Sequence, residues 1–181
     1  MPHALLLTNN PWEQRKLGEL VNRTYGGGTP STEVAAYWDG EIPWIQSSNV
    51  REDSLFEAEI PKCISVAGLA NSAAQFVPGN SIAVITHVGV GKLLYLPFSY
   101  STSQDFLSLN GFSCDPTYLC YALRERLVAD LNKVQGSAIK GITKEDLLTK
   151  PIAAGCRSEQ ELLGTYFRGL DNLITLHQRK P

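Results

Sequence analysis

Cysteine is scarce in this chain and poorly spaced for metal or redox chemistry. Cys63, Cys114, Cys120 and Cys156 form no C-x-x-C pair, which excludes a zinc knuckle and a thioredoxin-type motif. The histidines, His3, His87 and His177, have no i,i+4 partner, so no metal site is expected. Scattered thiols of this kind fit a reducing compartment. Long apolar runs are also missing. None approaches the ~18 residues of a membrane helix, and the longest at the N-terminus, Ala4-Leu5-Leu6-Leu7, is cut short by Asn9-Asn10-Pro11. Neither a signal peptide nor a membrane partner is expected, and the cytoplasm is the expected location. Charge of one sign is lacking too: 16 Lys and Arg against 18 Asp and Glu leave a net −2. That balance argues against a non-specific nucleic-acid coat, though not against a site-specific reader working beside a partner.

Catalytic signatures are absent. Gly89-Val90-Gly91-Lys92 suggests a phosphate loop, but that motif needs glycine where Thr86 stands and a hydroxyl where Leu93 stands. Gly26-Gly27-Gly28 lacks the G-x-G-x-x-G spacing of a dinucleotide fold. There is no G-x-S-x-G elbow and no H-E-x-x-H helix. The acidic runs Glu52-Asp53 and Glu57-Ala58-Glu59 read as a solvated face.

What is present describes one α+β domain of ordinary size, 181 residues with 43% hydrophobic content. Leu17, Leu20 and Val21 make a short helical stripe. Gly26-Gly27-Gly28-Thr29-Pro30-Ser31 reads as a backbone hinge whose glycines allow positive φ. A short strand follows over 42–45, and its Pro43 points to a sheet edge. Ser65 can cap a helix ending near Asn71; Pro78-Gly79-Asn80 then turns the chain into a buried strand, Ile82 to Thr86. A tight reversal at 89–92 leads to a strand over 93–96, and another runs from Asp105 to Leu109. Asp115-Pro116 starts a helix whose Leu119, Leu123, Leu127 and Leu131 recur on one face. Thr143 to Asp146 caps a short helix, and a strand follows near Pro151-Ile152.

The last element is a helix over 158–178, opened by a Ser158/Glu161 capping box. Leu163, Tyr166, Leu170, Leu173 and His177 follow the 3-4 spacing of a coiled-coil seam, widened by Phe167 and Ile174. The seam is too short to be stable alone; it either packs on its own domain or pairs with another chain.

Two polar loops carry groups suited to base edges. Gln46-Ser47-Ser48-Asn49 follows Trp44-Ile45, and Ser99 to Gln104 follows Pro97-Phe98. Amides can meet adenine bidentately, and hydroxyls serve either base type.

These features occur together with a set of motifs in order. They are Trp12 to Leu20, Gly27-Gly28-Thr29-Pro30-Ser31, Tyr37 to Ile45, Val88 to Lys92, Ser101 to Leu109, Gly136-Ser137-Ala138-Ile139-Lys140, Glu159-Gln160 and Leu170 to Lys180. In that order the chain resembles the specificity (S) subunit of type I restriction-modification systems, one target recognition domain plus the start of the conserved helical region. The resemblance implies a β-rich recognition domain over 11–155 and a helix over 156–181 that pairs as a coiled coil. It implies a non-catalytic reader of double-stranded DNA that docks a modification (methyltransferase) subunit and a restriction subunit, with S-adenosylmethionine on the modification subunit and no cofactor here. One recognition domain is half the family's usual layout, so a half-subunit or a fragment is expected, with a homodimer through the C-terminal helix as one arrangement.

The residues expected on the DNA face are Gln46, Ser48, Asn49, His87, Lys92, Ser103 and Gln104. At position 87 relatives often carry arginine, so a guanine contact is not implied for His87. The Gly-Thr-Pro-Ser block is expected to shape a turn rather than read bases. Residues 33–59 hold seven acidic residues against Arg51, whereas 120–157 hold seven basic against four acidic; the second segment is expected nearer the phosphates. The other reading is an interaction module that docks modification subunits or another S chain without binding its own DNA site.

Overall fold

Residues 12–133 and 141–178 are described by a computed structural model. The block Gly136–Lys140 and the ends of the chain (1–11 and 179–181) lie outside the described residues. Strand β1 (Glu13–Lys16) leads into a single helical turn, α1 (Leu17–Leu20), and then β2 (Val21–Gly26). After β3 (Ile42–Ile45) come β4 (Cys63–Ile64), α2 (Val66–Ala70), β5 (Ser81–Ile85), β6 (Leu93–Leu96), β7 (Ser101–Thr102) and β8 (Phe106–Phe112). The chain continues through α3 (Pro116–Lys133), α4 (Lys144–Leu148), β9 (Pro151–Ala154) and α5 (Arg157–Gln178).

The central sheet has the order β2-β8-β5-β6 and is antiparallel throughout. Its side chains alternate between two cores, as the two-residue period of a strand requires. Ile82 and Val84 of β5 join Leu93, Leu107 and Leu109 under Leu119, Leu123 and Leu127 of α3. Ala83 and Ile85 face the other way, onto Ile45, Leu94, Tyr100 and Phe106. The sheet is thus covered by α3 on one side and by the β4-β3-β7 sheet with its flanking loops on the other.

Several local expectations hold for their stated reasons. Ser65 accepts from the Gly68 amide and Thr143 from the Asp146 amide, each capping a helix. The Asp115 carboxylate accepts from the Tyr118 amide at 2.7 Å. Asn80 adopts φ 57° in the turn before β5, a conformation asparagine tolerates.

Others are corrected. β3 is not an edge strand: it lies between β4 and β7. Pro43 is tolerated because it pairs only with Cys63 of β4, while β7 meets β3 one residue later, at Trp44 and Ile45. The missing Pro43 amide therefore leaves no gap in a ladder. The cap of α5 sits two residues earlier than the Ser158/Glu161 reading: Arg157 opens the helix, and Glu159 reaches back to the Cys156 amide at 3.1 Å. Glu161 is instead ion-paired with Arg157.

Helix α5 lies on α3. Gln160, only 4% exposed, accepts from the Asp115 amide at 2.9 Å and donates to the Gly155 carbonyl at 2.8 Å. One turn on, a Cβ at Gly164 would fall 2.8 Å from the Asp115 carboxylate and 2.9 Å from the Tyr118 amide, so only glycine lets the helices approach this closely. Phe167 then meets Tyr121 with ring centroids 5.4 Å apart, and the Tyr121 hydroxyl donates to Asp171 at 2.6 Å. Strands β1 and β9 form a small antiparallel sheet beside the pair, fixed to α3 by the Tyr118 hydroxyl on the Ala153 carbonyl and by Trp12 packed edge-on against Tyr118.

At the other end of α3, Asp130 bridges Arg126 and Lys150, at 2.9 and 2.6 Å. Burial pushes this carboxyl up, but the Lys150 hydrogen bond and the charges of Lys150 and Arg126 more than offset it and hold it below its ordinary value. A carboxyl depressed on folding stabilises the native state above its unfolded pKa, and that contribution is lost as pH falls through the folded value. Lys150→Met is therefore expected to lose about 1 kcal/mol at neutral pH and to show a shallower decline in stability on acidification. Denaturant titrations at several pH values check both.

Candidate nucleic-acid interface

The strand directions gather several loops at one rim. β2, β3, β5 and β7 all end there, and β6 and β8 begin there. The loops that follow are joined by backbone hydrogen bonds. The Gly28 amide donates to the Thr102 carbonyl, the Ser103 amide to Ile45, the Thr86 amide to Asp105 and the Ile142 amide to Thr86, at 2.7–2.8 Å. Five segments far apart in sequence are thereby held in one surface.

The glycines of the Gly26–Gly28 run serve this rim differently from the expected hinge. Among the described residues positive φ is confined to Asn80, Gly89, Gly91 and Gly111. Gly27 and Gly28 are needed for close approach: a Cβ on Gly27 would overlap the Ser103 carbonyl, and one on Gly28 the Ala73–Ala74 backbone. The block does shape the chain, and Trp44 secures it by donating from its indole to the Gly28 carbonyl at 3.0 Å. The expected reversal at 89–92 forms as read, with Gly89 at φ +91° and Gly91 at φ +96°.

Gln46, Ser48, Asn49, His87, Ser103 and Gln104 all fall at this rim, in different states of use. Gln46, Ser48 and Asn49 surround a 3₁₀ turn, Ser47–Asn49. There the Asn49 side-chain oxygen accepts from the Gln46 amide and the Gln46 side-chain amide donates to Ser48. Gln104 is exposed, and its oxygen accepts from the Thr29 hydroxyl at 2.7 Å. His87 is exposed at the end of β5. Ser103 is 4% exposed and directs its hydroxyl to Asp105, so it sits beneath the surface rather than on it. Lys92 turns away: its ammonium pairs with Glu52 at 3.0 Å.

A cation that does reach the rim is Lys144, exposed at the start of α4. It lines a cleft of about 310 Å³ with His87, Gln104 and Thr143. It was not among the expected residues, although it lies in the basic 120–157 segment. Four other basic residues of that segment are occupied elsewhere: Arg126 and Lys150 by Asp130, Arg157 by Glu161, and Arg124 by the Glu52 carbonyl.

The seam residues of α5 divide into two faces. Leu163 is half-buried and Phe167 packs on Tyr121, which supports the intramolecular reading for that side. Tyr166, Leu173 and Ile174 remain 55–62% exposed, Leu170 is 39% exposed, and His177 is exposed as well. Leu162, at 71% exposure, extends the uncovered side by one turn and was not foreseen.

Residues 9–181 match the family model described as the type I restriction modification DNA specificity domain. The chain belongs to this family. It is 22% identical over 172 residues to the type I restriction enzyme MjaIX specificity subunit of Methanocaldococcus jannaschii, covering 90% of this chain and 38% of that protein. Over 79 residues it is 32% identical to the EcoR124I/EcoR124II specificity subunit of Escherichia coli, covering 43% of this chain and 19% of that protein. The fold is shared with the HsdS subunit from Thermoanaerobacter tengcongensis, with a TM-score of 0.70 at 18% identity over 98% of this chain and 42% of that one. The chain thus spans less than half the length of these relatives, one specificity domain with its α+β fold.

The relatives are named as specificity subunits rather than catalytic ones. Among the described residues no cluster of three or more His, Cys, Asp or Glu could hold a metal, and no helix is long and apolar enough to cross a membrane. Burial disfavours the thiolate at both buried cysteines, pushing Cys114 up to about 11 and Cys120 higher still. In a thiol-labelling time course at neutral pH, Cys63 and Cys156 are expected to react in the native protein, and Cys114 and Cys120 only on unfolding. Mass spectrometry of the labelled peptides checks this.

Proposed function

We propose that this specificity domain reads one half-site in double-stranded DNA and directs adenine methylation and restriction performed by partner subunits. The observation that carries the reading is the rim, where polar side chains from separate loops (Gln46, Ser48, His87 and Gln104) are offered from a backbone-bonded base. Lys144 supplies a cation at its edge. Phosphate contacts would position the domain and amide or imidazole groups would read bases. On this reading S-adenosylmethionine and the methyl-transfer chemistry lie on the modification subunit, and the chain alone turns over no substrate.

The test is the methylation pattern of cells that carry the modification subunit with variants of this chain. Gln104→Ala is expected to relax one position of the target at a cost of ~1–3 kcal/mol. Lys144→Ala should weaken all duplexes about equally and lower the salt slope by about one, whereas Lys92→Ala should do so less, because its charge is already paired. Binding that ignores sequence, or a motif untouched by these changes, would favour the second reading, a half-subunit that chiefly docks protein partners.

The uncovered side of α5 supports an association role within either reading. Two such helices laid antiparallel would relate two domains by a two-fold axis, and the assembled complex would then modify a palindromic bipartite site. Burying Leu170, Leu173 and Ile174 at ~25 cal/mol per Å² stabilises such a contact by a few kcal/mol. Leu170→Glu is expected to shift the sedimentation profile to monomer or to abolish capture of the modification subunit. Unchanged association would mean that α5 serves only its own domain.

A further inference from the structure

His87 and Thr86 occupy the end of β5 beside the cleft, and their hydrogen bonds fix which ring nitrogen carries the proton. Thr86 has one hydroxyl proton, and its oxygen lies 3.0 Å from the Asp105 carbonyl, which can only accept. The same oxygen lies 3.1 Å from Nδ1 of His87. Both contacts are hydrogen bonds only if Thr86 donates to the carbonyl and His87 donates from Nδ1–H. Thr86 is held in place for this: it is 4% exposed, and its amide also donates to Asp105, at 2.7 Å. The neutral ring then has a bare Nε2, and since His87 is exposed at the rim that lone pair is available to a ligand.

We infer that His87 is a hydrogen-bond acceptor toward DNA, a specificity-determining residue that selects a base whose amino group lies in the major groove. The inference rests on the DNA-reading function proposed above. In the major groove the donors are the N6 amino group of adenine and the N4 amino group of cytosine, while guanine offers only the acceptors N7 and O6. An acceptor at this position matches the first two and leaves guanine unpaired. An arginine here would have donors only and would select the opposite way. Thr86 acts as a positioning residue, setting the tautomer through its bond to the backbone.

Two measurements on the full chain separate this inference from the function it rests on. Ring-nitrogen NMR of histidine-labelled protein at about pH 8, where an ordinary imidazole is neutral, should show Nδ1 protonated and Nε2 bare for His87. Thr86→Val should lose that restriction. A wild-type ring protonated at Nε2 overturns the inference whatever the chain binds. Duplexes are then selected from a randomised library by the chain together with its modification subunit. The wild type should prefer one base pair at one position, contacted through the adenine or cytosine that carries its major-groove amino group, and His87→Ala should lose the preference. Replacing that base by purine or 2-pyrimidinone, which lack only the amino group, distinguishes the two. The replacement should cost about tenfold in affinity for the wild type and nothing for His87→Ala. Sequence-selective binding in which the analogue costs the wild type nothing, or costs His87→Ala as much, overturns the role of His87 and leaves DNA reading standing. Absence of any sequence-selective binding overturns both.

Discussion

The five residues of β5 are sealed from water on both faces, and the rest of the domain is arranged around that requirement. A strand with two buried faces needs two cores, and each core needs its own cover. Helix α3 supplies one, and Ile45, Val77 and Tyr100 with their neighbours supply the other. The strand also has to be paired along both edges, since its amides and carbonyls have no access to water. β8 and β6 do this residue by residue. Once β5 is fixed, the loops at its end have little freedom, and the rim inherits its geometry from the most deeply buried strand of the sheet.

The parts of this fold that could be read from sequence are those with strong local chemistry. The caps at Ser65, Asp115 and Thr143 and the turns at Asn80 and Gly89 depend on a few neighbouring atoms. The leucine stripe of α3 follows from helix geometry alone. What escaped notice was set by distant segments. β1 reads Glu-Gln-Arg-Lys, with every side chain exposed; its ladder to β9 is made of backbone groups, so its side chains carry no signal. β7 is two residues long and exists because β3 runs beside it. Pro43 misled because its cost depends on where a neighbouring strand stops, and Gly26–Gly28 because close approach and positive φ call for the same residue.

The candidate site was legible in the same uneven way. Polar loops flanking apolar strands marked Gln46, Ser48, Asn49, His87 and Gln104, and the strand directions converge them on one end. Ser103 and Lys92 differ because residue type cannot reveal where a side chain points: one is turned beneath the surface and the other onto Glu52. Lys144 carried only the weak signal of a basic segment, and nothing local shows that Ile142 bonds to Thr86 and brings Lys144 to the cleft. For α5 the heptad spacing was plain, but whether it meant an inner or an outer contact was not. The structure divides the stripe, turning Leu163 and Phe167 inward beside Gln160 and Gly164 and leaving Tyr166 and Leu173 outside.

Four of the bonds that fasten the rim loops to one another run from main chain to main chain, and this has a consequence for how such a surface can change over time. A main-chain amide or carbonyl is the same for nearly every amino acid, so replacing Gln46, His87 or Gln104 removes none of these main-chain fastenings, and of the side-chain ties only the Thr29–Gln104 bond depends on one of them. Mutational drift at those positions alters what the surface offers while costing the scaffold little. Gly27 and Gly28 have the opposite character, because any side chain there would push into a neighbouring backbone. The domain therefore separates a small set of positions that must stay fixed from a larger set free to vary. Such a division lets one scaffold be retuned by point substitution, without an accompanying search for a new way to fold.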